Sequence, residues 1–276
     1  MAGLSTGGRT VRDKQTHKSA IVARRMQKLS VIIPFYNEQA TLRTIVEQVL
    51  AVQLAGTAKQ IILVDDGSTD GSSAIAKDLA HRHPETIRCV AMSENLGKGA
   101  AVCRGLREVE GSLVVIQDAD LEYDPADLRA IIEAFHDQDV KVVFGSRRLA
   151  RKNVRGNVAY HWGGLLITGL TNVLYGSRLT DQATCYKSFR SEVLSDLCLC
   201  STGFEFCAEL TSKLLRLGHR IIEVPIRYTP RSRQEGKKIR LRDGVRIAWT
   251  LIRLRFSRPA RQTARQAAAS LRENRC

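Results

Sequence analysis

Short runs of aliphatic and β-branched residues alternate, from residue 29 onward, with stretches in which apolar residues recur at helical spacing. The runs predict five buried strands, at residues 29–33, 61–64, 87–92, 113–116 and 141–144. Strands that are separated by helices or long connections form a mostly parallel sheet that is covered on both faces. The pattern therefore predicts an α/β fold with a mostly parallel central sheet and helices on both faces.

Polar side chains directly follow each of these predicted strands. They are Asn37 and Glu38, Asp65 and Asp66, Glu94 and Asn95, Asp118 and Asp120, and Ser146 and Arg147. Ligands of open parallel sheets bind in the crevice beyond the carboxyl ends of the strands. We therefore expect these side chains to converge on one rim of the sheet and to form the functional site.

The pattern changes after the fifth predicted strand. Residues 156–177 contain no formally charged side chain, and Trp162, Leu166 and Val173 belong to an apolar stripe at helical spacing. Five glycines and several polar residues in this span argue against a helix that crosses a membrane. Two interpretations remain open, a helix packed on the core and a helix that lies in a membrane interface.

A basic amphipathic helix is predicted near the end of the chain. Its apolar stripe comprises Val245, Trp249, Ile252 and Phe256, and the arginines interleaved with it are Arg242, Arg246, Arg253 and Arg255. Before it, Leu210 and Leu214 mark another helix, and residues 221–224 predict a late strand. Arginines beside an apolar stripe are typical of a helix that binds an anionic membrane surface.

The chain has 276 residues, of which 43% are hydrophobic, which is enough for one large α/β domain. Its formal net charge of +15 is concentrated at the two ends, with +6 on residues 1–28, +13 on residues 216–276 and −4 between them. Residues 1–28 lack apolar periodicity and predict a disordered basic tail, and residues 257–276 predict an Arg-rich C-terminal tail. Basic ends favour an anionic partner, such as nucleic acid, a membrane surface or a phosphorylated ligand.

Seven cysteines are scattered along the chain, which favours free thiols in a reducing compartment. Cys198, Cys200, Cys207 and His219 lack the paired C-x-x-C spacing of a structural zinc site. We therefore expect structural or incidental cysteines here.

Two pairs of aspartates follow neighbouring predicted strands, and carboxylates placed so close together would repel one another. A divalent cation removes this repulsion, and Mg²⁺ or Mn²⁺ typically uses one or two carboxylates together with the phosphates of a ligand. Asp118 and Asp120 lie on one turn directly after a strand. This arrangement predicts a metal held against a diphosphate.

Four motifs then occur in the order found in the family 2 inverting glycosyltransferases. They are Val31–Glu38, Val64–Asp70, Asn95–Gly99 and Asp118–Asp120. Over about residues 29–256 the chain resembles the polyprenyl-phosphate hexosyltransferase branch of this family, which includes dolichyl-phosphate mannose synthase. The resemblance implies a GT-A fold over residues 29–256, with the nucleotide sugar across the strand ends and the segment 148–180 facing the acceptor and the membrane.

The resemblance also implies roles for individual residues. Contacts to the donor nucleotide are expected from Pro34, Tyr36, Glu38, Asp66, Lys98 and Arg233. Mg²⁺ or Mn²⁺ would be held by Asp118, Asp120 and Glu122. Asp120 and Asp181 are the catalytic candidates, and Asp181 would either orient the donor sugar or act as a base.

The acceptor phosphate is expected to contact Arg147, with Arg155 as a weaker candidate. The element Asp181–Lys187 matches a family motif, except that Cys185 replaces the usual glycine. The turn geometry at this position is therefore expected to differ from that of the family.

The expected reaction is inverting transfer of a hexose from GDP-mannose or UDP-glucose to a polyprenyl phosphate, by a protein bound peripherally to the cytoplasmic face of a membrane. The alternative is a family 2 enzyme with a saccharide or other hydroxyl acceptor, as in cell-envelope polysaccharide or glycolipid synthesis. A hydroxyl acceptor needs a general base, whereas a phosphate acceptor is already ionised near neutral pH.

Two other classes are excluded by the motifs. A dinucleotide oxidoreductase needs G-x-G-x-x-G after the first strand, where this chain has Pro34–Glu38. A nucleic-acid-binding protein would explain the basic ends but not the converging carboxylates, so no nucleic-acid partner is expected.

Overall fold

A computed structural model describes residues 27–150, 158–231 and 241–257 of the chain. The strands are β1 (Gln27–Phe35), β2 (Thr57–Asp65), β3 (Ile87–Ala91), β4 (Leu113–Ile116), β5 (Val142–Ser146), β6 (Lys187–Arg190) and β7 (Ile221–Pro225). The α-helices are α1 (Leu42–Ala51), α2 (Ser72–Arg82), α3 (Lys98–Leu106), α4 (Leu128–Ala134), α5 (Val158–Tyr175), α6 (Phe206–Arg216) and α7 (Leu241–Phe256), and Pro125–Asp127 and Ser191–Asp196 are short 3₁₀ helices. Arg155, Arg233 and nearly all of the two predicted tails lie outside the described residues.

The strands form one sheet in the order β3-β2-β1-β4-β6-β5-β7. All neighbouring pairs are parallel except those that β6 makes with β4 and β5. The five predicted strands and the late strand are therefore confirmed, and β6 was missed. Its sequence Lys-Ser-Phe-Arg has a single apolar residue, although Lys187, Ser188 and Phe189 are all buried in the sheet.

Alternating residues of the strands pack in two hydrophobic cores on opposite faces of the sheet. Val31 and Ile33 of β1 pack in the core that α1, α2 and α4 cover. Ile32, between them, packs in the core that α3 and α6 cover. Full burial of each such side chain contributes about 1.5–3 kcal/mol, so the period-two alternation of β1 holds helices on both faces, as the sequence predicts.

The helices α5 and α7 pack against each other beside α6. The Tyr175 hydroxyl at the end of α5 donates to the carbonyl of Leu251 in α7 (2.8 Å). Arg216, the last residue of α6, donates to the hydroxyl of Ser257 (2.8 Å) just after α7. Among the described helices, none combines the length and the apolar character that crossing a bilayer requires.

Candidate functional site

The site lies where the chain reverses its direction of travel across the sheet, between β1 and β4. The strands β2 and β3 follow β1 on one side of the sheet, and the next strand, β4, lies on the other side of β1. Backbone hydrogen bonds continue past the strand ends, from Asp66 N to Phe35 O (2.9 Å) and from Gln117 N to Ile32 O (2.9 Å). The segments after β1, β2 and β4 therefore begin side by side, at the usual position of a ligand crevice in this class of sheet.

Asp65 and Asp66, at the end of β2, organise the neighbouring backbone. The Asp66 carboxylate is buried and accepts from the backbone N–H groups of Leu96 (2.9 Å) and Gly97 (3.0 Å). The Asp65 carboxylate accepts from Ser68 N (2.8 Å) and stabilises the turn that follows β2. Asp66 thus fixes the loop that leads into α3, which decides where the next side chain, Lys98, points.

Lys98 is the first residue of α3, and its ammonium group reaches across to β4. It forms an ion pair with the Asp118 carboxylate, and it donates to Cys185 Sγ (3.0 Å). Burial alone would lower the pKa of Lys98, but Asp118 and the nearby thiols together raise the pKa well above its ordinary value. Lys98 is therefore a fixed positive charge at neutral pH, beside one of the predicted metal ligands.

A second cation, Arg231, contacts the remaining carboxylates of the site. Its guanidinium lies 3.0 Å from Glu38 Oε2 and 3.6 Å from Asp120 Oδ2. Its backbone N–H donates to Glu122 Oε1 (2.8 Å), while Glu122 N donates to Asp120 Oδ1 (3.1 Å). The carboxylates that follow β1 and β4 are thus joined through one arginine.

The segment that carries Arg231 is held by a short strand-like pairing. Tyr228 and Tyr123 form an antiparallel bridge, and Thr229 N donates to Glu122 O (2.9 Å). The rings of Tyr123 and Tyr228 are also in contact, with centroids 5.6 Å apart. Backbone pairing, and not only ionic attraction, therefore positions Arg231.

Arg147 and Asp181 form a two-point ion pair at the other end of the site. Arg147 Nε and one terminal nitrogen each lie 2.7 Å from an oxygen of Asp181, and Arg147 N donates to the same carboxylate (3.1 Å). Asp181 is fully buried. Burial would raise its pKa, but the Arg147 guanidinium reverses this effect and holds the pKa of Asp181 below its ordinary value.

The backbone around Asp181 is fixed by Glu223 of β7. Its two carboxylate oxygens accept from Thr180 N (2.7 Å) and Asp181 N (2.9 Å). The Arg147 guanidinium also lies over the ring of Tyr228, 5.1 Å from its centroid. Arg147 is therefore a positioned cation at the edge of the crevice, with about a fifth of its side chain exposed.

The model of the family described as "Glycosyl transferase family 2" matches residues 30–198, which is more than half of the chain. The chain belongs to this family. A polyprenol monophosphomannose synthase of Mycolicibacterium smegmatis is 32% identical over 244 residues, which cover 83% of this chain and 89% of that protein.

A second relative is an undecaprenyl-phosphate 4-deoxy-4-formamido-L-arabinose transferase of Edwardsiella ictaluri. It is 31% identical over 217 residues, which cover 77% of this chain. The chain spans only 63% of the length of that transferase.

Solved structures of the same fold include glucosyl-3-phosphoglycerate synthase of Mycobacterium tuberculosis, in a complex with Mn²⁺, UDP and glucosyl-3-phosphoglycerate. It matches with a TM-score of 0.64 and 19% identity, covering 94% of this chain and 87% of that one. The same enzyme has also been solved with Mg²⁺ and UDP. The likeness confirms the predicted GT-A fold for this family 2 chain.

The predicted metal ligands of this family 2 chain contact cations and backbone N–H groups. Within the described ranges, no three carboxylate, thiol or imidazole side chains converge as a ready-made metal site. Asp118 and Asp120 nevertheless carry hard oxygen atoms at the end of one strand, with Lys98 and Arg231 balancing their charge. This donor set fits Mg²⁺ or Mn²⁺ shared with a diphosphate, because such ions need only one or two protein carboxylates.

Sequence reasoning missed two contributors to this site. Arg231 was passed over in favour of Arg233, because several basic residues stand close together after β7 and the pattern alone does not select among them. Asn37 was noted only as a polar residue after a strand, yet it accepts from Thr69 N (2.8 Å) and adopts a positive φ of 52°. Asparagine adopts left-handed backbone conformations more readily than most residues do. An asparagine two residues after a strand was therefore the sequence signal that Asn37 shapes the turn.

Proposed function

We propose that this chain transfers a hexose from a nucleotide sugar to a polyprenyl phosphate with inversion at the anomeric carbon. The observation that carries the proposal is the joining of the carboxylates that follow β1 and β4 with the cations Lys98 and Arg231, at the switch point of a family 2 sheet. Two relatives are named for polyprenol or undecaprenyl-phosphate glycosyl transfer, which supports the choice of acceptor. The identity of the sugar is proposed only as the hexose of GDP-mannose or UDP-glucose.

The donor nucleotide would bind along the ends of β1 and β2. Pro34 is buried in β1, and Tyr36 and Glu38 follow it at the rim. A carboxylate such as Glu38 can accept from base N–H groups or ribose hydroxyls. Asp66 would act mainly through the loop that it holds, by directing Lys98 towards the donor phosphates.

Asp118 and Asp120 would hold Mg²⁺ or Mn²⁺, with Glu122 as a nearby third oxygen donor. Once bound, the metal would stabilise the charge on the departing diphosphate. Arg231 now occupies the space between Glu38 and Asp120, so it would move from the carboxylates towards the donor phosphates. Lys98, held by α3, would remain beside Asp118 and add a fixed positive charge.

The acceptor phosphate would bind Arg147, which Asp181 holds in a fixed orientation. A fully buried carboxylate in a two-point ion pair is a poor general base, since it would have to leave Arg147 to take up a proton. A phosphate acceptor needs no such base, whereas a sugar hydroxyl does. The pairing of Arg147 and Asp181 therefore favours the lipid phosphate over the alternative saccharide acceptor, and Asp181 becomes a positioning residue.

Binding to the cytoplasmic face of a membrane would occur through α5 and α7. Trp162 and Leu166 of α5 and Trp249 of α7 expose 60%, 72% and 63% of their surface. Arg246 and Arg253 of α7 are also exposed. Exposed apolar side chains next to arginines match an interfacial site on anionic lipid, where each basic group contributes about 1 kcal/mol.

The experiment is a turnover assay with labelled GDP-mannose and UDP-glucose, polyprenyl phosphate in anionic vesicles, and Mn²⁺. We expect a lipid-linked hexose in which the anomeric configuration of the donor is inverted, and we expect no product with Asp120→Ala. A simple saccharide acceptor serves as the comparison. Product formed on the saccharide but not on the lipid phosphate would overturn the proposed acceptor, and undiminished turnover by Asp120→Ala would overturn the proposed site.

A further inference from the structure

Two thiols that the proposed reaction does not use lie next to the Lys98–Asp118 ion pair. Cys185 stands where the family motif has glycine, and Cys207 lies in the first turn of α6. Both side chains are half-buried, and each thiol lies close enough to the other to shift its pKa. Cys185 Sγ also accepts from Lys98 Nζ (3.0 Å). The two thiols are therefore neighbours beside the Lys98 ammonium group.

Lys187 places a second positive charge near this pair. It is fully buried, its ammonium group donates to Gln182 O and Thr211 Oγ1 (2.9 Å each), and it lies 3.8 Å from the centroid of the Phe144 ring. Burial lowers the pKa of Lys187 to about 8. The group is still mostly protonated near neutral pH, so Lys98 and Lys187 both favour a negative charge on the sulfurs.

The two thiols are unequal in this environment. The neighbouring Cys185 thiol lowers the pKa of Cys207, and the charges of Lys187 and Lys98 lower it further. The Cys207 thiol, together with burial, raises the pKa of Cys185. A thiolate beside a protonated thiol is the arrangement of a reactive cysteine with a resolving partner.

We propose that Cys185 and Cys207 form a site of reversible covalent modification, at which a peroxide converts the two thiols into a disulfide. The Cys207 thiolate attacks hydrogen peroxide and, with one proton, gives a sulfenic acid and water. Cys185 sulfur then attacks the sulfenic sulfur, and the displaced hydroxide leaves with the Cys185 proton as a second water. One peroxide is thereby reduced by two electrons to two waters, and the two thiols become one disulfide.

The modification would act on the site through Lys98. The disulfide would tie the segment 181–187 to α6 and remove the thiol that accepts from Lys98. This consequence rests on the proposed function, whereas formation of the disulfide does not. Peptide mapping of the full chain therefore tests the modification separately from catalysis.

Trypsin cleavage after Arg178, Lys187, Arg190 and Lys213 places Cys185 in peptide 179–187 and Cys207 in peptide 191–213. After brief treatment with hydrogen peroxide and alkylation, we expect these peptides to be cross-linked through Cys185 and Cys207. Dithiothreitol should release them. Cys185→Ser and Cys207→Ser should each abolish the cross-link, whereas the control Cys89→Ser should retain it.

The Cys207 thiol is expected to disappear about tenfold faster than the thiol of Cys89 in β3, whose pKa is raised by burial. Peptide 191–213 also contains Cys198 and Cys200, which lie close to each other, so fragmentation must locate the cross-linked sulfur. A disulfide confined to Cys198 and Cys200, or alkylation of both Cys185 and Cys207 after peroxide, would overturn the proposal.

A turnover measurement on the same samples separates this proposal from the proposed function. Loss of hexose transfer on oxidation, with recovery in dithiothreitol, supports both. The absence of transfer in the reduced protein would overturn the proposed function, while the cross-link would still decide the modification. A cross-linked protein with unchanged turnover would overturn the proposed action through Lys98.

Discussion

Arg147 and Asp181 are joined by two hydrogen bonds of 2.7 Å, and the aspartate is completely buried. Removal of one partner from such a pair leaves an uncompensated charge and typically costs about 3–5 kcal/mol. We expect Asp181→Asn to lower the free energy of unfolding by about 3 kcal/mol and to raise the KM for the acceptor more than it lowers kcat. Chemical denaturation and acceptor titrations measure the two effects.

The control for this variant is Arg147→Lys, which keeps the charge but loses the two-point geometry. It should be less destabilising than Asp181→Asn and should also raise the KM for the acceptor. If Asp181→Asn abolished kcat with an unchanged KM for the acceptor, Asp181 would be a base and not a positioning residue.

The same ion pair predicts a specific dependence of stability on pH. The folded-state pKa of Asp181 is below its ordinary value, so the unfolded chain binds its proton more readily. The stabilisation is fully present above the ordinary pKa of aspartate, about 3.9, and is lost as the pH falls through the folded-state pKa. Unfolding curves between about pH 6 and pH 3 should therefore lose less stability on acidification in Asp181→Asn than in the wild type, and identical losses would contradict the assignment.

The close approach of Gly97, which directly precedes α3, to the 201–203 loop can be tested with two glycine variants. Gly97 has a φ of +101°, and an added Cβ would lie 2.7 Å from Thr202 O. We expect Gly97→Ala to destabilise the protein by about 1–3 kcal/mol and to weaken nucleotide binding, because Lys98 would move. Gly163, in α5, has open space at its Cβ position, so Gly163→Ala should stabilise the protein by about 0.5–1 kcal/mol. Thermal unfolding measures both, and equal effects would contradict the packing described here.

We expect Arg231 to compete with a metal ion for Asp120, and this competition can be measured without catalysis. Arg231→Met removes the guanidinium that lies 3.6 Å from Asp120 and should strengthen Mn²⁺ binding in the absence of nucleotide by about 3- to 10-fold. The control is Arg227→Met, because Arg227 pairs with Asp124 and Asp127 instead. Equal Mn²⁺ affinities for the two variants, measured by titration calorimetry, would show that Arg231 does not compete with the ion.

The proposed membrane binding through α7 predicts an effect of charge that is specific to this helix. Arg246→Gln and Arg253→Gln should each weaken binding to anionic vesicles by about 1 kcal/mol at low salt. Vesicle flotation measures this binding. Arg82→Gln, an exposed substitution at the end of α2, should leave flotation unchanged. Flotation that is equally strong for all three variants would exclude α7 as the binding element.

Periodicity and strand-end chemistry were enough to predict most of the fold. β1, β2, β4 and β5 are buried aliphatic runs, and the polar residues after them lie at the rim, as expected for a parallel sheet. β6 was not predicted because its burial depends on its neighbours. The buried ammonium group of Lys187 is stabilised by hydrogen bonds to Gln182 O and Thr211 Oγ1. Local sequence does not encode such tertiary compensation.

The pairing of side chains within the site could not be predicted from the sequence, because the partners lie far apart along the chain. Arg147 and Asp181 are 34 positions apart, and Glu38 and Arg231 are 193 positions apart. From the sequence, Arg147 was expected at the acceptor phosphate, Glu38 at the nucleotide, and Asp181 either to orient the donor sugar or to act as a base, whereas the fold brings these side chains into ion pairs. The contact with Arg147 favours a different role for Asp181, that of positioning Arg147.

The most direct test of the account is Mn²⁺-dependent nucleotide binding, because Asp118 and Asp120 are proposed to hold the ion against the donor diphosphate. Calorimetric titration of UDP and GDP, with and without Mn²⁺, should give tighter binding of one nucleotide when the ion is present. Asp118→Asn and Asp120→Asn should remove this enhancement, and each variant should still unfold in a single cooperative transition, although Asp118→Asn also loses the ion pair with Lys98. Binding that is equally tight with and without Mn²⁺, or an enhancement that persists in both variants, would contradict the account.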